Sequence, residues 1–269
     1  LVIDDSELSH NSSFLLALNS FNANNINNAY KYLENAISKI KDRKTIDKYL
    51  FWKYYITKDE NILENLSNSI NLNLYSTLAN ELLNKPLLDY SFFETIEPFE
   101  IYLKDHDSSR VALLYSIAKI KSKFNINKIS KKFETGIMQL KTSFVKTIAS
   151  TLDEKYSSFN QFNVENSLKY ANIHLNNLEN VFKDPISLFL AYEGNIKFLN
   201  NNLTHELFKN ADLFKALQKF EYITNGKKEY LKDFVLYYYY FYNKLNNQEK
   251  ISLSSIFESQ LEFDQKIDD

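Results

Sequence analysis

The sequence predicts an all-α protein, and three observations carry that prediction. Glycine and proline are scarce, three of each in 269 residues, so the chain has little material for tight turns or hairpins. Hydrophobic residues make up 44%, which places the chain among globular proteins and not disordered ones. Apolar positions recur at helical spacing, as in Ala29, Leu33, Ala36, Ile37 and Ile40. The length allows one large domain or two modest ones, each with a core of its own.

Residues 6–84 read as short amphipathic helices joined by polar turns. Three of them fall between Thr45 and Pro86, with Asp59 as N-cap of the second and Pro86 ending the third. Short helix pairs of this kind pack against their sequence neighbours, as in an α-solenoid, although no repeat period is present. Around 86–108 the pattern loosens, with Pro86, Pro98 and the polar run "KDHDSS". The organisation expected is therefore a helical arm over 1–86, a linker over 87–107 and a second domain over 108–269. That domain opens with a helix capped by Ser108 or Ser109, whose apolar face holds Val111, Leu114, Tyr115 and Ala118. Further helices are expected over 141–156, 164–182, 185–200, 204–220 and 227–246.

Composition removes several classes of function. The 32 basic and 34 acidic residues leave a net charge of −2, mixed along the chain, which steers neither nucleic acid nor an anionic membrane. No cysteine is present, so thiol catalysis, thiolate metal sites and disulfides are excluded. The longest apolar run, "FVLYYYYFY" from Phe234, is less than half of a membrane span. Four consecutive tyrosines on a helix point all round it, so 237–240 reads as core plus surface. The histidines His10, His106, His174 and His205 have no metal-ligand spacing, and His174, between Ile173 and Leu175, reads as structural. No P-loop, dinucleotide fingerprint or G-x-S-x-G is found, and no cofactor or metal is implied. The chain begins at Leu1, which suggests a processed product or an excised segment, with any signal peptide lost ahead of it.

The stretch "FETGIMQLKTSF", Phe133 to Phe144, carries one of the three glycines and the only methionine. It reads as helical, where a glycine costs roughly 0.5–1 kcal/mol relative to alanine. The longer segment "KSKFNINKISKKFETGIMQL" resembles the catalytic core of the soluble lytic murein transglycosylases, the Slt family. The family pattern is E-S-x-F-N-P-x-x-x-S followed by G-L-M-Q. The spacing from Lys121 to Gly136 is gapless, and Ser122, Phe124, Asn125, Ser130, Gly136, Met138 and Gln139 fall in register. "NVENSLKYANIHL" from Asn163 is similar to the family's next helix but departs at Ser167, Ala171 and His174. "LAYEGNIKFL" keeps Ala191, Tyr192 and Gly194 of the A-Y-N-x-G segment, and Tyr230 matches the tyrosine of the closing helix. The resemblance covers residues 108–246.

That resemblance implies a short α-superhelical arm followed by a goose-type lysozyme-like helical domain. It also implies glycan-contacting positions at Ser122, Gly136, Met138, Gln139, Tyr192, Glu193 and Tyr230, with Gly136 retained where backbone approaches the glycan. The family's chemistry uses one carboxylic acid, which protonates the glycosidic oxygen and later takes a proton from the sugar's 6-hydroxyl. Lys121 stands at that position. An ammonium with a reference pKa of about 10.4 is a poor acid at neutral pH, and its charge disfavours an oxocarbenium-like transition state. Other departures are Glu193 for the asparagine of A-Y-N, Glu134 for a small residue, and Asn195 and Lys197 for glycines. Three readings follow. The chain is an inactive periplasmic relative that binds peptidoglycan or an envelope protein, or a scaffold with a vestigial cleft, or a rewired enzyme using Glu193 or Glu134 as acid. A lysine enclosed in such a cleft needs an anion nearby, so an ion pair from Lys121 to Glu193 or Glu134 is expected, under about 4 Å.

Overall fold

A computed structural model of the chain describes residues 7–86, 99, 101–104, 106–197, 199, 212–224, 228–246 and 249–258. Pro98, His205, Gly226 and positions 204–211 of the expected fourth late helix lie outside them. Among the described residues the protein is all-α, with one pair of two-residue strands.

The chain divides into two compact units, Leu1–Asp89 with Leu217–Lys232, and Tyr90–Ala216 with Asp233–Asp269. The sequence reading assigned 108–269 wholly to the second domain. Residues 217–232 instead return to the first unit, because Glu221 and Lys232 are buried among its helices.

The first unit contains α1 (His10–Asn22), α2 (Ile26–Ser38), α3 (Arg43–Thr57), α4 (Glu60–Ser67) and α5 (Leu74–Leu82). Each begins at a polar N-cap that accepts from the first turn: Ser9, Asn25, Asp42, Asp59 and Asn73. Asp59 is the cap expected. Ala29, Leu33 and Ala36 are the buried face of α2, while Ile40 lies beyond the helix end. Phe14, Tyr49, Phe51, Trp52 and Tyr75 fill the core.

The carboxylate of Glu221 sits inside that apolar core at 1% exposure. It accepts from Lys232 Nζ at 2.7 Å, from Trp52 Nε1 at 3.4 Å and from the Tyr75 hydroxyl, with Lys48 Nζ at 3.8 Å. Burial alone raises a carboxyl pKa, but the two lysines and these hydrogen bonds hold Glu221 below the usual range. Lys232 is raised: burial opposes its charge, but Glu221 and Glu229 prevail. Lys48 meets the same carboxylates only at 3.6–3.8 Å, and burial lowers it.

The second unit opens with α6 (Ser108–Ser122), capped by Asp107 and not by Ser108 or Ser109. The Asp107 carboxylate accepts from the Arg110 N–H at 2.9 Å, and an ionised acceptor at a helix N-terminus is the stronger cap. Val111, Leu114, Tyr115 and Ala118 are buried as expected, but so are the residues between them, so α6 is a core helix. Arg110 ties it to α8 (Val164–Glu179) through Asn172 Oδ1 at 2.6 Å, Asn176 Oδ1 at 2.7 Å and Glu179.

The run around Gly136 is not helical. Glu134–Thr135 (β1) and Leu140–Lys141 (β2) pair antiparallel, with Glu134 opposite Lys141 and Thr135 opposite Leu140. Next come α7 (Thr142–Thr151), a 3₁₀ turn over Ser158–Gln161, α8, and α9 (Pro185–Tyr192). Two helices are shorter than expected: α7 ends before Asp153 at φ +54°, and α9 ends before Gly194 at φ +77°. α10 (Leu213–Thr224) and α11 (Tyr230–Leu245) contribute residues to both units, and α12 (Leu253–Glu258) follows. Tyr238, Tyr239 and Tyr240 are buried and Tyr237 half-buried, so the tyrosine block is mostly core. Within this unit Phe189 stacks on Phe234, with centroids 4.1 Å apart.

Candidate functional site

Three segments of the second unit converge at Lys121. The first is the last turn of α6, which ends because Lys123 and Phe124 both take left-handed backbone, at φ +54° and +61°. The Phe124 ring anchors that turn, stacked on Phe99 and edge-on to Tyr115 and Phe241. The second is the loop into β1. Ser130 Oγ accepts from the N–H groups of Lys132 and Glu134, both at 3.1 Å, and the Lys128 ammonium donates to the Lys121 carbonyl. The third is the end of α9, where Glu193 is the C-cap. There Gly194 supplies the positive φ that lets the Asn195 N–H reach the Leu190 carbonyl at 2.9 Å.

Lys121 Nζ lies 3.1 Å from Glu193 Oε1 and 3.4 Å from Glu134 Oε2. This is the ion pair the sequence reading expected, made to both candidate carboxylates at once. The three side chains are 12–16% exposed, so neither attraction is screened as on an open surface. A cavity of about 220 Å³ adjoins the cluster, with Glu134, Gln139, Phe144, His174, Tyr192 and Glu193 on its wall; Lys121 does not line it.

At Gly136 the close approach is made by the protein's own backbone. Gly136 has φ +76°, and a Cβ there would fall 1.7 Å from the Gln161 carbonyl oxygen. The 3₁₀ turn, through Gln161, packs against this glycine. The Gly136 N–H donates to the Lys128 carbonyl at 3.0 Å, and Gln139 Nε2 closes the loop on the carbonyls of Lys128 and Gly136 at 2.9 and 2.8 Å. Met138 is fully buried, its N–H on Ser167 Oγ and its carbonyl on the Tyr192 hydroxyl at 2.8 Å. Ser122 is buried too and donates to the Ala118 carbonyl. Tyr230 is half-buried and belongs to the first unit. Of the expected glycan positions, Gln139, Tyr192 and Glu193 therefore line the cavity, while Met138 is buried behind Tyr192 and Ser122 is buried in α6. Gln139 Oε1 is buried on that wall with no hydrogen-bond partner among the described residues.

Residues 100–214 match the family model described as Transglycosylase SLT domain. That stretch of the chain is thus similar to an SLT domain. Among solved structures, the fold is shared with the 70 kDa soluble lytic transglycosylase Slt70 of Escherichia coli, at TM-score 0.60 and 13% identity over 94% of this chain. It is shared equally with an inactive glutamate-to-glutamine mutant of lytic transglycosylase Slt from Pseudomonas aeruginosa, at TM-score 0.60 and 12% identity over 95%. The chain spans about half the length of these structures, 54% and 55%. No curated protein matches it in sequence. The lysozyme-like, all-α fold expected from the motifs is thereby shown. Among the described residues no helix is long and apolar enough to cross a membrane, and no group of three or more metal-ligating side chains occurs.

Sequence reasoning missed the ring sandwich on the SLT-domain cavity. His174 lies 4.1 Å from the Phe144 ring and 5.2 Å from the Tyr192 ring, centroid to centroid. Burial lowers its pKa to about 4, so it is neutral near pH 7. The unfolded chain binds a proton on His174 near pH 6.5 that the folded chain refuses. Stability is therefore unaffected above about pH 6.5, is lost as the pH falls toward 4, and levels off below, for a total on the order of 3 kcal/mol. Urea denaturation at pH 7 and pH 4.5 checks this, since His174→Phe is expected to flatten that part of the profile.

The Lys121 cluster yields a second expectation. Replacing Glu134 and Glu193 together by glutamine strands an ammonium, at a cost of about 3 kcal/mol, and adding Lys121→Met recovers part of it. In a double-mutant cycle of Lys121→Met with Glu193→Gln, measured by denaturation, the coupling is expected to be about 1–2 kcal/mol. Additive effects there, and for Lys121 with Glu134, would show that the carboxylates do not compensate the lysine.

Proposed function

We propose that this protein is a non-catalytic relative of the lytic transglycosylases, located in the periplasm, whose SLT-domain cleft holds a peptidoglycan strand or an envelope protein. The observation that carries this reading is Lys121, in gapless register with the family's catalytic acid and bonded to both nearby carboxylates. Losing general acid–base help alone typically slows such chemistry about 10²- to 10⁴-fold, and a cation beside an oxocarbenium-like transition state slows it further. Glu134 and Glu193 are both engaged by Lys121 Nζ, at 3.4 and 3.1 Å. Retention of a binding role is supported by the cavity of about 220 Å³ beside the cluster. The unpartnered acceptor Gln139 Oε1 on its wall suits a hydroxyl or amide donor, of which glycans carry many.

Titration of the protein with peptidoglycan oligosaccharides by calorimetry tests the binding role. Saturable heat that Gln139→Ala weakens is expected. No heat at millimolar glycan leaves the cleft vestigial and makes the protein a scaffold. One observation favours a rewired enzyme as the second reading: Glu134 and Glu193 line the cavity while Lys121 does not. In that case cleavage of murein depends on Glu193 or Glu134.

A further inference from the structure

The loop between α6 and β1 has a character that the chain-wide charge balance conceals. From Lys119 to Phe133 the sequence holds six lysines and no acidic residue, in a protein whose net charge is −2. Lys121 and Lys128 are taken up by the candidate site, and Lys119 lies over the Phe124 and Tyr237 rings. Lys123, Lys131 and Lys132 are exposed. Interleaved with them stand Ile126 at 37%, Ile129 at 60% and Phe133 at 78% exposure. A single exposed apolar residue is ordinary, but three large ones on one short loop among lysines are not.

The loop is also built to hold Phe133 outward. Phe133 has φ +60°, a conformation that bulky side chains avoid, and its N–H donates to the Ser130 carbonyl at 3.0 Å. Ser130 Oγ fixes the residues on either side through the N–H groups of Lys132 and Glu134. An aromatic ring held in water by a strained turn, just after Lys131 and Lys132, has the pattern of an interfacial anchor. The ring and the isoleucines enter the acyl boundary while the lysine stems extend to lipid phosphates.

We propose that the loop from Lys123 to Phe133 docks the protein on an anionic phospholipid bilayer, with Phe133 and Ile129 as the inserted side chains. The anionic partner follows from Lys123, Lys131 and Lys132, which are exposed and make no ion pair among the described residues, while the nearby Glu134 carboxylate is turned to Lys121. The bilayer follows from the apolar side chains, which a soluble polyanion would leave in water. This inference is independent of whether the cleft cleaves glycan.

Co-sedimentation of the full chain with vesicles tests it. Binding to phosphatidylcholine vesicles with about one-third phosphatidylglycerol is expected to exceed binding to phosphatidylcholine alone by at least about 10-fold, and to fall with salt. Lys131→Glu with Lys132→Glu should lower the partition coefficient on the order of 10- to 100-fold, at roughly 5-fold for each lysine lost and somewhat more for the charge reversal. Phe133→Ser with Ile129→Ser should lower it at least about 5-fold at unchanged charge. These side chains are exposed, so the variants are expected to keep the parent's thermal melt. Phe133→Trp supplies a direct readout: brominated lipid should quench its emission and leave that of the buried Trp52 untouched. Failure to sediment with anionic vesicles overturns the proposal and leaves a protein partner as the occupant. Binding indifferent to the Phe133 and Ile129 changes, or an unquenched Phe133→Trp, overturns it equally.

Discussion

Gly136→Ala is expected to unfold the SLT domain or to cost it at least about 4 kcal/mol. Two effects add. A left-handed φ of +76° costs an alanine about 1 kcal/mol relative to glycine. The larger effect is steric, because the new methyl would stand 1.7 Å from the Gln161 carbonyl oxygen and 2.8 Å from its carbon. Those atoms are backbone, held while Gln161 Nε2 donates to the Leu140 carbonyl at 2.8 Å and its Oε1 accepts from Thr142 and Tyr156. Relief therefore requires the hairpin and the 3₁₀ turn to part, which breaks the Gln161–Leu140 and Thr142–Gln161 hydrogen bonds. Gly194 is the internal control. It shares the positive φ, at +77°, but nothing lies within 4 Å of an added Cβ. Gly194→Ala should cost only about 1 kcal/mol. Thermal melts followed by near-ultraviolet circular dichroism separate the two, and equal losses would contradict the packing account.

Glu221→Ala is expected to destabilise the first unit by about 3–5 kcal/mol. The carboxylate is the acceptor for Lys232, Trp52 and Tyr75 inside an apolar core, and its removal leaves Lys48 and Lys232 facing each other with only Glu229 between their charges. Lys48 is already held below its usual pKa by burial, so the loss falls on a group with little reserve. Adding Lys232→Met to Glu221→Leu should recover part of the stability, because the stranded charge goes with its partner. Guanidinium denaturation measures both. If Glu221→Ala costs less than about 1 kcal/mol, the cluster is not the buried anchor described.

How much of this was legible in the sequence depended on the range of the interaction. Asp59 as a cap and the buried face of α2 are local, and both were readable. The Lys121 cluster was readable because the motif register brings 121, 134 and 193 together before any coordinate is known. The hairpin at Gly136 was not. Strands of two residues are too short to show a period of two, and Ile137, Met138 and Leu140 are buried in a turn whose apolar spacing mimics a helix. Gln161 could not be connected to Gly136, since nothing in its own neighbourhood marks a backbone contact 25 residues away. Glu221 and Lys48 were hidden for the same reason. Charges within amphipathic helices read as solvent-facing, and only the return of 217–232 to the first unit buries them. Asp107 was passed over as a cap because two serines follow it, although the carboxylate is the stronger acceptor.

The proposed function holds that Lys121, at the position of the family's acid, ends glycan cleavage. Digestion of purified murein by the full chain, with products read by mass spectrometry, tests it most directly. No 1,6-anhydro muropeptides are expected from the natural sequence, and Lys121→Glu alone should not restore full activity, because Asn195 and Lys197 also alter the third motif. Steady release of anhydro products by the natural sequence, abolished by Glu193→Gln, would contradict the account and establish the relocated acid instead.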